Sequence, residues 1–250
     1  MSSPTFTLTP CTLPDGPSIG RNNVLAFWTD KTWVQVWRSG GRTRSRSYVA
    51  DQAAKRGRRN LLLDRAHRRH LKAVDAATGE VVGYARWVLP PQGDGCCAGE
   101  EDKDDHCHEL WREARIPDVE DGVREEAERE SAAADWEVEG GVMDGIDEPI
   151  VRRMGELKVG RRYMELDYLC VPPAFRRRGI ASALIQKGLE EAEKLGLDTF
   201  VLSMRAGLSV YQKAGFELLD QVLIDASDRG GDKDYGGWFL EKKCVPKAEA

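Results

Sequence analysis

The chain lacks several features that would assign it to a class of protein. It has no apolar run of about eighteen residues, the minimum for a membrane-spanning helix. No basic stretch followed by an apolar one opens the sequence, so we expect no secretory signal peptide. Six cysteines in 250 residues are too sparse for a disulfide-rich secreted domain. We therefore expect a cytoplasmic protein with reduced thiols and no membrane partner, with the nucleus left open.

Two common nucleotide-binding motifs are also missing. The sequence contains neither a Walker loop nor a dinucleotide fingerprint beside a strand. It does contain a strand-like run at 164–171, a basic turn at 176–178, Gly179, and a helix-like run at 183–192. The first N–H groups of a helix have no partners and lie at the positive end of its dipole, so they bind phosphate groups. This order of elements predicts a phosphate-binding turn.

The turn Arg176-Arg177-Arg178-Gly179-Ile180-Ala181 resembles the acetyl-CoA loop, Q/R-x-x-G-x-G/A, of the GNAT N-acetyltransferase superfamily. A second segment, 207–216, resembles the family's G-x-x-x-Y-x-K-x-G-F signature, and residues 78–87 resemble its hairpin turn and third strand. The resemblance covers residues 161–243 well and 3–90 loosely. It does not cover 91–160.

The resemblance implies an α/β fold with a mixed, mostly antiparallel central sheet flanked by helices, in one N-acetyltransferase domain over residues 1–250. The sequence pattern agrees with alternating strands and helices around one sheet. We expect helices over 14–29 and 45–66, interrupted near 40–41 and near Gly57. Expected strands besides 164–171 and 199–204 are 5–9, 71–74, 81–89, 218–224 and 237–242.

Residues 91–160 form an acidic insertion between the third and fourth strands. Its part 91–150 carries 21 acidic against 5 basic residues, in a chain of net charge −5. We expect a mobile, glycine-rich loop over 91–106 and one or two helices beyond it. The insertion is either an acidic flap that attracts a cationic amine or a solvated surface. The cysteines and histidines within 96–108 are spaced poorly for tetrahedral zinc, so no metal is expected.

By resemblance, acetyl-CoA is the expected cofactor, acting as co-substrate. The loop residues that would hold its pyrophosphate are Arg176, Arg177, Arg178, Gly179, Ile180, Ala181 and Ser182. The backbone of Leu169, Cys170 and Val171 would hold its pantetheine arm.

Two carboxylates of the fourth strand are candidates for the catalytic base. Strand alternation predicts that Glu165, Asp167, Leu169 and Val171 share one face, with Cys170 on the other. The resemblance implies Glu165 as the base, and Asp167 is the second candidate. Either carboxylate is alternatively a strand-end group in a salt bridge.

Tyr211 is the candidate general acid, because in the family the tyrosine of this signature often lies beside the CoA sulfur. The alternative is a tyrosine that only packs under the cofactor. The aromatic residues of the N-terminal segment and Trp87 suit a flat or cationic amine, although core packing accounts for part of them: Phe27, Trp28, Trp33, Trp37 and Tyr48.

The expected function is acetyl transfer from acetyl-CoA to a primary amine, preferably of a small molecule, by direct attack. Two alternatives stay open, namely a protein acetyltransferase that modifies lysines or N-termini, and a non-catalytic CoA-binding sensor. No nucleic-acid partner is expected, and the sequence does not indicate an oligomeric state.

Overall fold

A single sheet organises the chain in the computed structural model, which describes residues 5–37, 43–91, 109–136 and 144–244. Its strand order is β1-β2-β3-β4-β5-β7-β6. The strands are β1 Phe6–Pro10, β2 Arg68–Asp75, β3 Val81–Val88, β4 Tyr163–Cys170, β5 Asp198–Ser203, β6 Glu217–Ile224 and β7 Tyr235–Lys242. All neighbouring strands are antiparallel except β4 and β5, which are parallel. This confirms the predicted mixed, mostly antiparallel sheet.

Helices cover both faces of the sheet. They are α1 Gly16–Phe27, α2 Lys31–Gln35, α3 Arg46–Leu62, α4 Asp121–Ala132, α5 Asp144–Lys158, α6 Ile180–Leu195 and α7 Leu208–Lys213. On one face, Leu184 and Ile185 of α6 are fully buried in one cluster with Trp87 and Met164 of the sheet. Burying each of these side chains stabilises the fold by about 1.5–3 kcal/mol. On the other face, α1 packs beside α3 against β3 and β4.

The predicted interruption of the second long helix at Gly57 is wrong, because α3 continues through this residue. A Cβ atom on Gly57 would lie 1.9 Å from the carbonyl oxygen of Gly16. The glycine therefore serves a close crossing of α1 and α3 and does not break the helix. The short helix α2 was not predicted separately; its N-terminus is capped by Asp30, which accepts a hydrogen bond from the Trp33 N–H at 2.9 Å. The other predicted interruption, at 40–41, lies outside the described residues.

The acidic insertion contributes helices α4 and α5 to the described structure. Helix α4 lies along α3, where Arg58 pairs with Glu126 at 3.2 Å and Glu130 at 3.0 Å, and Arg59 pairs with Glu128 at 2.9 Å. Each exposed pair contributes only about 0–1 kcal/mol, but together they fix the position of α4. Part of the acidic charge thus neutralises the basic α3. The predicted loop over 91–106 lies almost wholly outside the described residues, and the single-domain boundary of 1–250 stays a prediction.

A β-bulge in β4 changes the predicted alternation of side chains. In the ladder with β3, Trp87 pairs with Leu166 and Arg86 pairs with Tyr168, so Asp167 has no opposite residue. The extra residue reverses the face of every later side chain. The prediction that Glu165, Asp167, Leu169 and Val171 share one face is therefore wrong. Leu169 and Val171 pack against the cluster below α6.

Cys170 lies on the side of α1, together with Tyr168. Glu165 precedes the bulge and lies two residues after Tyr163, so the two side chains share a face of β4. The cluster of Tyr163 with Phe200 and Phe239 lies on the α1 side of the sheet, as Cys170 does. The expectation that Cys170 and Glu165 lie on opposite faces is thus also wrong, for the same reason.

Candidate functional site

The start of α6 is an open set of backbone N–H groups. Its first intrahelical hydrogen bond runs from the Ala183 N–H to the Gly179 carbonyl at 3.0 Å, and no side chain caps the helix. Within the described residues, the N–H groups of residues 177–182 have no hydrogen-bond acceptor. Gly179 has φ +80, and nothing lies within 4 Å of a Cβ built there. Such N–H groups bind an anion at the positive end of the helix dipole.

The three arginines before this helix do not share one role. The Arg176 guanidinium donates to the carbonyl oxygens of Ala26 at 2.9 Å and Val171 at 3.2 Å. Arg178 pairs with Asp75 at 2.7 Å, and its hydrogen bond holds the pKa of that carboxyl below its usual value. These two residues tie the loop to α1 and to the hairpin of β2 and β3.

Arg177 differs from its two neighbours. Its backbone is left-handed, with φ +62, its side chain is exposed, and it has no ion-pair partner among the described residues. A free guanidinium beside the open N–H groups is available to an anionic ligand. Sequence reasoning treated the three arginines alike; the structure separates them.

The sheet opens between β4 and β5, next to this loop. Their parallel ladder pairs Tyr163 with Asp198 and ends where Glu165 pairs with Phe200. Beyond that rung the two strands form no further ladder, so the β5-facing backbone of 166–170 is available to an extended ligand. The predicted contacts of Leu169, Cys170 and Val171 with a pantetheine arm are backbone contacts along this opening, and they stay a prediction.

The two candidate bases have different surroundings. Glu165 lies on the last paired rung, about three-quarters buried at 23% side-chain exposure, and pairs with Lys158 of α5 at 2.5 Å. Asp167, in the bulge, accepts from Arg86 with both carboxylate oxygens, at 2.7–3.0 Å. A bidentate guanidinium occupies much of the acceptor capacity of a carboxylate. Asp167 is therefore built as the anchor of Arg86, whereas Glu165 keeps one oxygen without a hydrogen bond from the described residues.

Tyr211 lies on the α6 side of the sheet opening. Its ring packs edge-on against Phe216, with centroids 5.8 Å apart, and it belongs to the same buried cluster as Met164. Burial raises the pKa of the Tyr211 phenol, so this group is fully protonated at neutral pH. Among the described residues its hydroxyl has no hydrogen-bond partner, which leaves the proton available to a ligand.

A pocket of about 180 Å³ lies on the other side of the sheet. Its walls come from α1, α3, the segment after α4 and the middle of β3 and β4. Its aromatic and charged lining residues are Trp33, Arg56, Tyr84, Arg86, Trp136 and Tyr168. Tyr168 directly follows the bulge residue Asp167, so the pocket reaches the strand that borders the opening. The described residues therefore place Tyr211 and this pocket on opposite sides of one gap in the sheet.

Only part of the predicted aromatic wall lines the pocket. Trp33 does, whereas Trp37 and Trp87 are buried in cores at 3% and 0% exposure. Trp28 and Phe27 pack against Trp33 from outside the lining, and Tyr48 hydrogen-bonds to Asp135. The lining residues that were not predicted are Arg56, Tyr84, Arg86, Trp136 and Tyr168. Of these, Tyr84, Arg86 and Tyr168 stand on predicted strands.

Cys170 is not built as a nucleophile. Its Sγ donates a hydrogen bond to the side-chain oxygen of Asn23 at 2.7 Å. Burial raises the pKa of this thiol well above its ordinary value, so no thiolate forms at neutral pH. This agrees with chemistry that proceeds without a covalent enzyme intermediate.

The expectation of no metal at the cysteines and histidines of 96–108 stays a prediction, because they lie outside the described residues. Across 5–37, 43–91, 109–136 and 144–244, no helix has the length and apolar character needed to cross a bilayer.

Comparisons with known proteins agree with this architecture. Residues 101–216 match the model of the acetyltransferase (GNAT) family. The chain is 45% identical over 59 residues to a protein of Ajellomyces capsulatus named probable acyltransferase SID5. That match spans 24% of this chain and 43% of the relative.

Solved structures show the same fold. One is the histone acetyltransferase HPA2 and related acetyltransferase from Corynebacterium glutamicum, with a TM-score of 0.54, 16% identity, and coverage of 98% of this chain and 99% of that one. Another is the C-terminal condensation domain of Ebony in complex with beta-alanyl-dopamine, with a TM-score of 0.56, 12% identity, and coverage of 95% and 98%. Residues 101–216 thus resemble the GNAT acetyltransferase family, and the chain as a whole shares the fold of these solved structures.

Proposed function

We propose that the protein is an N-acetyltransferase that transfers an acetyl group from acetyl-CoA to a primary amine of a small molecule by direct attack. The observation that carries the proposal is the open N–H set of residues 177–182 beside the gap between β4 and β5. These N–H groups and the free guanidinium of Arg177 fit a pyrophosphate. The gap fits a narrow chain laid along the backbone of 166–170. Bound acetyl-CoA supplies the activated thioester.

Two residues then accept and donate the protons of the reaction. Glu165 accepts a proton from the attacking amine, directly or through a water molecule, because an amine is protonated and unreactive at neutral pH. Tyr211 donates its phenolic proton to the thiolate sulfur when the C–S bond breaks. Since these residues lie on opposite sides of the sheet opening, one serves the incoming amine and the other the departing sulfur.

Positioning supplies much of the remaining rate enhancement. The acceptor enters the pocket between α1, α3 and Trp136. Holding an amine in line with a thioester carbonyl is worth a large effective concentration without any further catalytic group. The small volume of the pocket, about 180 Å³, favours a small molecule over the flexible tail of a protein.

The test is a pair of measurements on the wild-type chain. Calorimetry should show that acetyl-CoA binds, and a free-thiol assay should show CoA release that depends on a small amine. Binding without turnover on any amine of a broad panel would support the CoA-binding sensor. Turnover on a lysine-containing peptide with none on free amines would support a protein acetyltransferase. Absence of acetyl-CoA binding would refute the proposal.

A further inference from the structure

The acceptor pocket has an unbalanced positive charge. Two guanidinium groups line it, those of Arg56 and Arg86, and none of its described lining residues is acidic. Arg86 is neutralised from outside the lining by the bidentate carboxylate of Asp167. For Arg56, no carboxylate partner exists in the part of the chain that the structure describes. The described residues therefore give the pocket about one unit of positive charge toward its occupant.

Arg56 is held in place and partly desolvated. Its guanidinium carbon lies 4.5 Å from the ring centroid of Trp136, over the face of the indole. Burial lowers the pKa of Arg56, and the nearby charge of Arg59 lowers it further. Stacking fixes the guanidinium plane and leaves its edge free to donate hydrogen bonds. A cation in this state gains most from an anion that binds in two parallel hydrogen bonds.

Two neighbouring arginines of α3 show what makes Arg56 different. Arg58 and Arg59 are both matched by carboxylates of α4, and neither lines the pocket. Among the described residues of the insertion that supplies those carboxylates, Trp136 is the one that contacts Arg56. The charge of Arg56 is thus directed to the pocket and left for a ligand.

We propose that the acceptor amine also carries a carboxylate, and that Arg56 binds it. This inference rests on the proposed function and names its substrate class as amino acids or other amino-carboxylates. A plain cationic amine or diamine would meet an uncompensated guanidinium in the pocket, whereas an amino-carboxylate supplies the missing negative charge. The side-chain amides of Asn23 and Asn60, also in the lining, offer further hydrogen bonds to such a group.

The experiment compares acceptors that differ only in the carboxylate. Lysine is paired with cadaverine, and γ-aminobutyrate with propylamine, at saturating acetyl-CoA in the free-thiol assay. Wild-type protein should use the carboxylate-bearing member with at least a roughly tenfold higher kcat/KM, as expected for a hydrogen-bonded charge pair. Arg56→Gln should lose roughly ten- to hundredfold on that member, mainly through KM, and leave the other member unchanged within about twofold. Arg56→Lys should keep part of the preference, because it keeps the charge and loses the fork.

Arg46→Gln is the matched control, since it removes one positive charge from an exposed position of the same helix, outside the pocket and outside the ion pairs described between α3 and α4. An equal loss in Arg46→Gln would show that overall charge causes the effect and would overturn the proposal. Equal use of both members of each pair by the wild-type protein would overturn it as well. So would a peptide with a C-terminal amide that outperforms every amino-carboxylate.

A binding measurement separates this proposal from the proposed function. Calorimetry with the same amine pairs and no acetyl-CoA should show tighter binding of the carboxylate-bearing members, and this difference should vanish in Arg56→Gln. If acetyl-CoA fails to bind while that difference is present, the proposed function fails and the carboxylate site stands. If acetyl-CoA binds and turns over with no carboxylate preference, only the site fails.

Discussion

Replacing Ala181 by aspartate tests the phosphate-binding turn, because the new carboxylate should weaken the binding of acetyl-CoA and slightly stabilise the fold. Ala181 is the second residue of α6, inside the open N–H set. A carboxylate in the first turn of a helix favours the folded state by about 0.3–1 kcal/mol through the helix dipole. The same carboxylate beside a pyrophosphate is repelled. At ~5 Å and an effective dielectric constant of about 20, one pair of charges contributes about 3 kcal/mol, a factor of about 150.

Because this turn is partly exposed to solvent, screening reduces that figure, and we expect Kd for acetyl-CoA to rise by roughly ten- to hundredfold. Ala181→Asn is the control, since it has nearly the same size and no charge. Calorimetry should give a much weaker Kd for the aspartate variant than for the asparagine variant, and 0.5 M salt should narrow the gap. The Tm without ligand should stay equal or rise. A Kd for Ala181→Asp within threefold of that for Ala181→Asn would refute a pyrophosphate at this turn.

Three further predictions concern the proton-handling residues and a buried histidine. Tyr211→Phe should lower kcat by roughly ten- to a thousandfold with little change in acetyl-CoA affinity, and a kcat within twofold of wild type would reduce this tyrosine to packing. Glu165→Gln should lower kcat/KM most at low pH, and kcat/KM should recover partly at high pH, where free amine is abundant. If the dependence of kcat/KM on pH is unchanged in Glu165→Gln and flattened in Asp167→Asn, the base is Asp167. Burial, followed by the charges of nearby arginines, lowers the pKa of His70 to about 3 from 6.5. Between pH 6.5 and 4.5 His70 is therefore protonated in the unfolded chain and neutral in the folded chain. The free energy of unfolding should fall by about 2–3 kcal/mol over this range, and urea unfolding of His70→Gln should show a smaller fall.

The sequence was sufficient for features that depend on neighbours along the chain. The change from strand pattern to helix pattern around Gly179 is local, so the open start of α6 and the two flanking elements were predictable. The bulge at Asp167 was not, because it is set by which residue of β3 faces which residue of β4. A period of two residues contains no information about that register. The conclusions that Leu169 and Val171 share a face with Glu165, and that Cys170 lies opposite Glu165, failed for this one reason.

The pocket could not be predicted from the sequence, for a related reason. Arg56 and Trp136 are eighty positions apart in the chain and meet because α4 is aligned on α3. Charge counting detected the acidic insertion. It did not show that Glu126, Glu128 and Glu130 pair with Arg58 and Arg59 of α3, nor that none of them pairs with Arg56. Such an assignment needs the three-dimensional pairing of every charge.

The attachment of α4 through exposed ion pairs has a consequence for how this protein can change. The turn before α6 and the sheet opening belong to the framework, while Trp136, one wall of the pocket, comes from the insertion. Arg58 and Arg59 pair with α4 of that insertion at the surface, and Ala127 of α4 is buried in the core. An insertion of different sequence that kept these contacts would change the shape of the pocket and leave the turn before α6 in place. In the proposed enzyme, the range of accepted amines is therefore set by a segment separate from the proposed acetyl-CoA site.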